Sequence, residues 1–151
     1  MVFHEDFSLK PHLNNVIKSC YYHIKDLRQI RKHIDLSVAT QLAKALVSSR
    51  LDYCNSLFVA APTKHLNKLQ KVQNCLARVV TCSNKYVSSA PLLKRLHWLP
   101  VISWIAFKVN VITYKVLNTG QPVYLRELLT YRKYDINLRS NTSLGIALSN
   151  T

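Results

Sequence analysis

The stretch LNKLQKVQNCLARVVT, residues 66–81, is apolar at Leu66, Leu69, Val72, Leu76, Val79 and Val80. Steps of three and four residues return to one side of an α-helix, so these positions form a stripe and the polar residues the opposite surface. A half-buried strand needs alternation with a period of two, which this run lacks. Pro62 breaks the chain just upstream and Thr63 is placed to cap the helix. On the same helical wheel Lys64, Lys68, Lys71 and Arg78 fall within about 80° of one another, roughly a third of a turn from the apolar stripe. The spacing predicts a helix that carries a basic row on its outer surface.

The chain on either side reads as helix too. Upstream, Ser8 caps a first helix that tolerates Pro11 in its opening turn; Leu13, Val16, Ile17, Cys20, Ile24, Leu27, Ile30 and Ile34 then recur at helical spacing, to about His33. A second helix, capped by Asp35 or Ser37, places Val38, Leu42, Leu46, Ser49, Tyr53 and Leu57 along one face. Downstream, a short helix around 91–98 ends before Pro100, because a proline pushes its predecessor out of the helical region. Residues 101–117 are rich in β-branched side chains and resemble a strand, but the length of the run, the preceding proline and Gly120 as a stop argue for helix. Lys108, Asn110 and Lys115 interrupt it, and about 17 residues is the short limit for crossing a bilayer, so it reads as a buried helix. A last short helix spans 122–131. With only two glycines, hairpins and glycine-rich turns are disfavoured. The expected architecture is an all-α bundle of five or six helices in one domain, residues 1–131, followed by a loosely ordered tail, 132–151.

Charge narrows the partners. The chain carries 21 Lys plus Arg against 7 Asp plus Glu. Between Asp52 and Glu127 there is no acid, while Lys64, Lys68, Lys71, Arg78, Lys85, Lys94, Arg95, Lys108, Lys115 and Arg126 fall there. Such a field repels itself unless a polyanion accompanies it, which puts nucleic acid first among partners and an anionic membrane surface second. The four cysteines form no C-x-x-C pair and no secretory leader is visible, so a reducing intracellular compartment, nuclear or cytoplasmic, is expected.

The motifs of catalysis are missing. Cys75 and Cys82 stand about 10 Å apart by helix rise, too far to share a tetrahedral ion. No H-x-x-x-H pair, phosphate loop or nucleophile elbow occurs, and the acids are few and dispersed. No metal, cofactor or enzymatic activity is expected. In SRLDYCNSLF, residues 49–58, Arg50, Asp52 and Asn55 read as a structural polar cluster joined by Asn74 from the next helix, with an arginine holding Asp52 ionised; a nucleophilic Cys54 would lack a base.

Taken together, SRLDYCNSL (49–57), LNKLQKVQNCLARVVT (66–81) and LLKRLHWLPVISWIAFKVNVITYKVLN (92–118) resemble the segment downstream of the polymerase core in non-LTR retrotransposon reverse transcriptases of the CR1, L2 and Jockey-like kind. DFSLKPHLNNVIKSCYYHIKDLRQIRKHI (6–34) is similar to the stretch that leaves their palm and enters the thumb, and GQPVYLRELLTYRKYDINLRS (120–140) is similar to the segment just after their HWLP block. The likeness covers all but the last ten residues, in the family's own order. It implies a helical thumb and post-thumb region that grips the template and primer backbone, with the catalytic carboxylates and the endonuclease upstream in the parent frame and this chain the product of a truncated copy. Where the family usually carries an arginine, this sequence has Trp104, so the contact made there is in question.

Two functions compete. The first is non-sequence-specific binding of duplex or RNA/DNA hybrid through phosphates, by Lys64, Lys68, Lys71 and Arg78, with Lys94, Arg95, Lys108 and Lys115 as secondary candidates and no membrane role. The second is a protein-interaction relic that self-associates through a former palm-facing surface including Tyr21, Tyr22, Phe58 and Trp104.

Overall fold

The structure, a computed structural model, describes residues 10–53, 55–131 and 146–148. Its elements are α1 (Lys10–Ile30), a 3-10 turn (Arg31–His33), α2 (Leu36–Ala43), a wide π turn (Lys44–Ser48), α3 (Ser49–Asp52), a 3-10 segment (Asn55–Ala60), α4 (Thr63–Val80), α5 (Ser89–Arg95), α6 (Val101–Thr119), α7 (Val123–Glu127) and the strands β1 (Leu129–Tyr131) and β2 (Ile146–Leu148). Because α2, the π turn and α3 form one unbroken rod, the described residues hold six helices, the all-α architecture that the periodicity predicts, with one short two-stranded ladder, β1–β2. The chain divides into two compact units, Met1–Lys108 and Val109–Thr151, a division that falls within α6. Of the tail expected after residue 131, the described part is β2, which pairs antiparallel with β1; the rest of it, like the Ser8 cap, lies outside the described residues.

In the first unit, α4 buries Leu69, Val72, Leu76, Ala77, Val79 and Val80, matching the apolar stripe. Leu13 at the start of α1 shares a core with Leu69, and Arg31, just past its end, donates to the Val80 carbonyl at 2.7 Å, so α1 and α4 run parallel. The α2–α3 rod returns between them. Asp35 caps α2, its carboxylate accepting from the Val38 amide at 3.0 Å. The face expected for this rod is corrected. Val38, Leu46, Tyr53 and Leu57 are exposed, and the ridge that packs on α1 and α4 is Ala39, Ala43 and Val47, all fully buried. Small side chains let the backbones approach closely, so close packing outweighs the larger hydrophobes one position away. Thr63 is likewise not the cap of α4 but its first residue, after Pro62.

Two helices end in the same way. After α4 the Ser83 amide donates to the Arg78 carbonyl at 2.9 Å and the Cys82 amide to Val79 at 3.2 Å, with Cys82 at φ 52°. After α5 the Trp98 amide donates to Leu93 at 2.9 Å and the His97 amide to Lys94 at 3.1 Å, with His97 at φ 55°. Both are Schellman closures, which usually place glycine at the left-handed residue. This glycine-poor chain puts cysteine and histidine there. The left-handed backbone costs a side chain about 1–2 kcal/mol, so Cys82→Gly is expected to stabilise the fold by about 1 kcal/mol, read as a rise of a few degrees in thermal midpoint. His97 is exposed, while Trp98 packs at the corner between the main core and the α5 cluster, so only the tryptophan fills the corner expected of the pair.

In the second unit Gly120 ends α6 at φ 69°, its amide donating to the Val116 carbonyl at 2.9 Å. No helix among the described residues is long and apolar enough to cross a membrane.

Candidate nucleic-acid interface

Lys64, Lys68 and Lys71 project from α4 into solvent, and no ion pair or hydrogen bond engages their ammonium groups among the described residues. Helix rise spreads the row from Lys64 to Arg78 over about 21 Å. Arg78 is half-buried, and its Nε donates to the Val87 carbonyl at 3.1 Å, anchoring the loop after α4. One of its five donors is therefore committed.

Half of this surface is absent from the candidates that the sequence singles out. On α1, Lys18, Lys25 and Arg28 fall within about 80° of one another on a helical wheel, with Arg28 flanking the buried stripe and the two lysines further round on the outer face. All three are exposed. Arg28 reaches across to the Cys75 sulfur at 3.9 Å, and Cys75 lies inside the angular range of the α4 lysines. Arg28 thus meets the α4 row at the seam between the parallel helices, and Lys25 and Lys18 continue the positive charge round the outer face of α1. Tyr21 lies in that seam, its hydroxyl pushed to a higher pKa by burial and then by neighbouring Cys75. A wheel drawn for α1 finds this row; the acid-free interval does not, because it begins only after Asp52.

The secondary candidates separate. Lys94 and Arg95 are exposed in the last turn of α5, where cations complement the helix dipole. Their helix packs on Ala77, about 135° around α4 from the lysine row, so that packing does not bring them onto it. Lys115 is exposed on α6 in the second unit. Lys108 is a correction: its ammonium pairs with Asp52 at 3.3 Å and stands over the Trp104 ring, 5.6 Å from the centroid. It is an internal partner, not a free cation.

That pair answers what the polar residues of 49–58 do. One Asp52 oxygen accepts from the Trp104 indole N–H and from the Asn55 side-chain amide, the latter at 2.9 Å, while the other faces Lys108. Trp104 thus gives the carboxylate a neutral donor, and Lys108 one turn on supplies the charge. Arg50 is not in this cluster. Its Nε donates to the Leu46 carbonyl at 3.2 Å, and its charge partly offsets the burial that pushes the Cys20 thiol up to about 11. Asn74 belongs to a second network, in which the Gln70 amide donates to Asn74 at 2.8 Å and to Gln73 at 2.9 Å. The Gln70 oxygen accepts from the Val101 amide at 2.8 Å and so closes the start of α6. Nothing local in the sequence announces Gln70 as a cap for a helix thirty residues on.

Between these networks lies a half-open cavity of about 370 Å³ with apolar walls including Leu51, Leu99 and Ile105. Phe58, expected on an exposed interface, lines it and is 1% exposed. It is stacked near His12 in the core because the 3-10 segment turns it inward. Among the described residues no group of three His, Cys, Asp or Glu is disposed to hold a metal ion. No family model matches the chain, and neither a curated protein nor a solved structure matches it.

Proposed function

We propose that this chain is a non-catalytic helical module that holds the phosphate backbone of nucleic acid, in the manner of a retrotransposon reverse transcriptase thumb. The observation that carries the reading is the row Lys64, Lys68 and Lys71 projecting from α4, met across the seam by Arg28 of α1, with Lys18 and Lys25 exposed further round that helix. Lysine and arginine in rows on rigid helices match repeated phosphates and release their counterions on contact, which gives affinity without base readout. The resemblance of 49–57, 66–81 and 92–118 to thumb and post-thumb segments supports the same conclusion from a separate direction.

Fluorescence anisotropy of a labelled duplex and of an RNA/DNA hybrid, titrated across salt concentrations, tests it. Four phosphate contacts give a slope of about −3.6 in log K against log salt, and engagement of the α1 row steepens it toward about −6. Binding that ignores ionic strength defeats the proposal.

Self-association is favoured by a different observation. Tyr53, Leu57 and Val59 are 58%, 45% and 61% exposed within one short segment, an apolar surface that a partner would cover. Size-exclusion chromatography separates the readings: a monomer that binds nucleic acid leaves this surface without a role, and a stable oligomer that ignores nucleic acid displaces the first reading.

A further inference from the structure

The most exposed of the large apolar side chains described is Tyr86, at 82%, in the loop between α4 and α5. This loop is not loose. The Schellman closure holds its start, the Thr81 and Ser83 hydroxyls are bonded at 2.8 Å, the Val87 amide donates to Asn84 at 3.1 Å, and Arg78 fastens the Val87 carbonyl. The aromatic ring therefore stands on a turn fastened to Arg78, the C-terminal member of the α4 basic row. Lys85 places its ammonium 4.9 Å from the ring centroid, covering one face with positive charge and leaving the ring otherwise open.

An anchored, solvent-facing aromatic with a lysine on its flank contributes nothing to a core. Water-exposed rings of this kind gain most from a flat apolar partner that also brings negative charge, and an unpaired nucleotide supplies both. The bases of a duplex are already stacked on both faces and offer none to the ring.

We propose that Tyr86 is a base-stacking platform, so that the basic face takes an unpaired strand: phosphates along Lys64, Lys68 and Lys71, and a base on the open face of Tyr86 with Lys85 beside it. The proposal rests on the backbone-binding reading above and adds the form of nucleic acid. Tyr21, half-exposed in the α1–α4 seam, is a second ring interleaved with the same charges, but Arg28 and Cys75 already border it. Tyr86, 82% exposed against 43% for Tyr21, is the more open ring and the one to test.

The test compares a labelled single strand of about 12 nucleotides, within the usual site sizes for such grooves, with a hairpin duplex of the same sequence. Wild type, Tyr86→Phe, Tyr86→Ala and Lys68→Glu are measured against both. Tyr86→Ala is expected to weaken single-strand binding about 5- to 100-fold, with the salt slope and duplex binding unchanged, while Tyr86→Phe retains affinity. Because the ring stands outside the core, the thermal midpoint of Tyr86→Ala stays at the wild-type value. Lys68→Glu weakens both forms. Unchanged single-strand affinity in Tyr86→Ala, or equal loss on single strand and duplex, overturns the stacking platform while leaving the basic face intact. Failure of the wild-type chain to bind either form removes the basic-face reading and this proposal with it.

Discussion

Asp52→Ala is expected to destabilise the first unit by about 2–3 kcal/mol, seen as a thermal midpoint lower by several degrees and an earlier urea transition. The ion pair is not the main cause. Asp52 and Lys108 are 37% and 38% exposed, so solvent screening holds their mutual attraction to at most about 1 kcal/mol. The larger part is what the mutation strands. Asn55 is 3% exposed and would keep a buried amide without its acceptor, and the Trp104 indole N–H would lose the carboxylate it donates to. Each unsatisfied group costs about 1–3 kcal/mol, reduced here because the neighbouring cavity admits water. Trp104→Arg, which offers a guanidinium to the same carboxylate, is expected to stay within about 1 kcal/mol of wild type. A double-mutant cycle between Asp52→Ala and Trp104→Ala should then show coupling of about 1 kcal/mol. Additive losses in that cycle would mean that the carboxylate does not tie α3 to residues 101–108.

Reversing charge at two points of the α4 row, Lys68→Glu with Lys71→Glu, has the larger effect on binding. Each substitution removes a phosphate partner and adds a repulsive charge beside the strand. At about 0.9 units of slope per contact, loss of two contacts lowers the salt slope by about 1.8. Affinity near physiological salt should fall at least about 100-fold. Stability is a clean control, because both side chains lie in solvent and surface substitutions of this kind shift folding by only about 0.5 kcal/mol. A variant that folds as wild type and binds as wild type would remove α4 from the interface.

How much of this is legible in the sequence depends on whether a residue's partners are local. The core of α4 and the angular position of its lysines follow from an uninterrupted 3.6-residue period, and the structure reproduces them. Periodicity puts the second helix on the wrong face because Ala39 and Ala43 look unremarkable beside Val38 and Leu46, although small size is what lets them into the seam. Phe58 sits in a 3-10 segment, whose short run gives no period to read. The partners of Asp52 are Trp104 and Lys108, about a third of the chain away, so neither the indole donor nor the commitment of the lysine leaves a local trace. A count of cations in the acid-free interval therefore treats Lys108 as free. The α1 row is within reach of the same wheel that finds the α4 row.

The wide turn at Lys44–Ser48 carries one residue more than an α-helical turn would, and it leads directly into α3, which ends at Asp52. Without that extra residue everything after it would rotate by about 100°, and the carboxylate would swing away from Trp104 and Lys108. Loss of a single codon in this five-residue window would therefore be a graver lesion than nearly any point change there. The helical phase of the downstream segment, and with it the anchoring of Trp104, depends on how many residues precede it, more than on which ones they are.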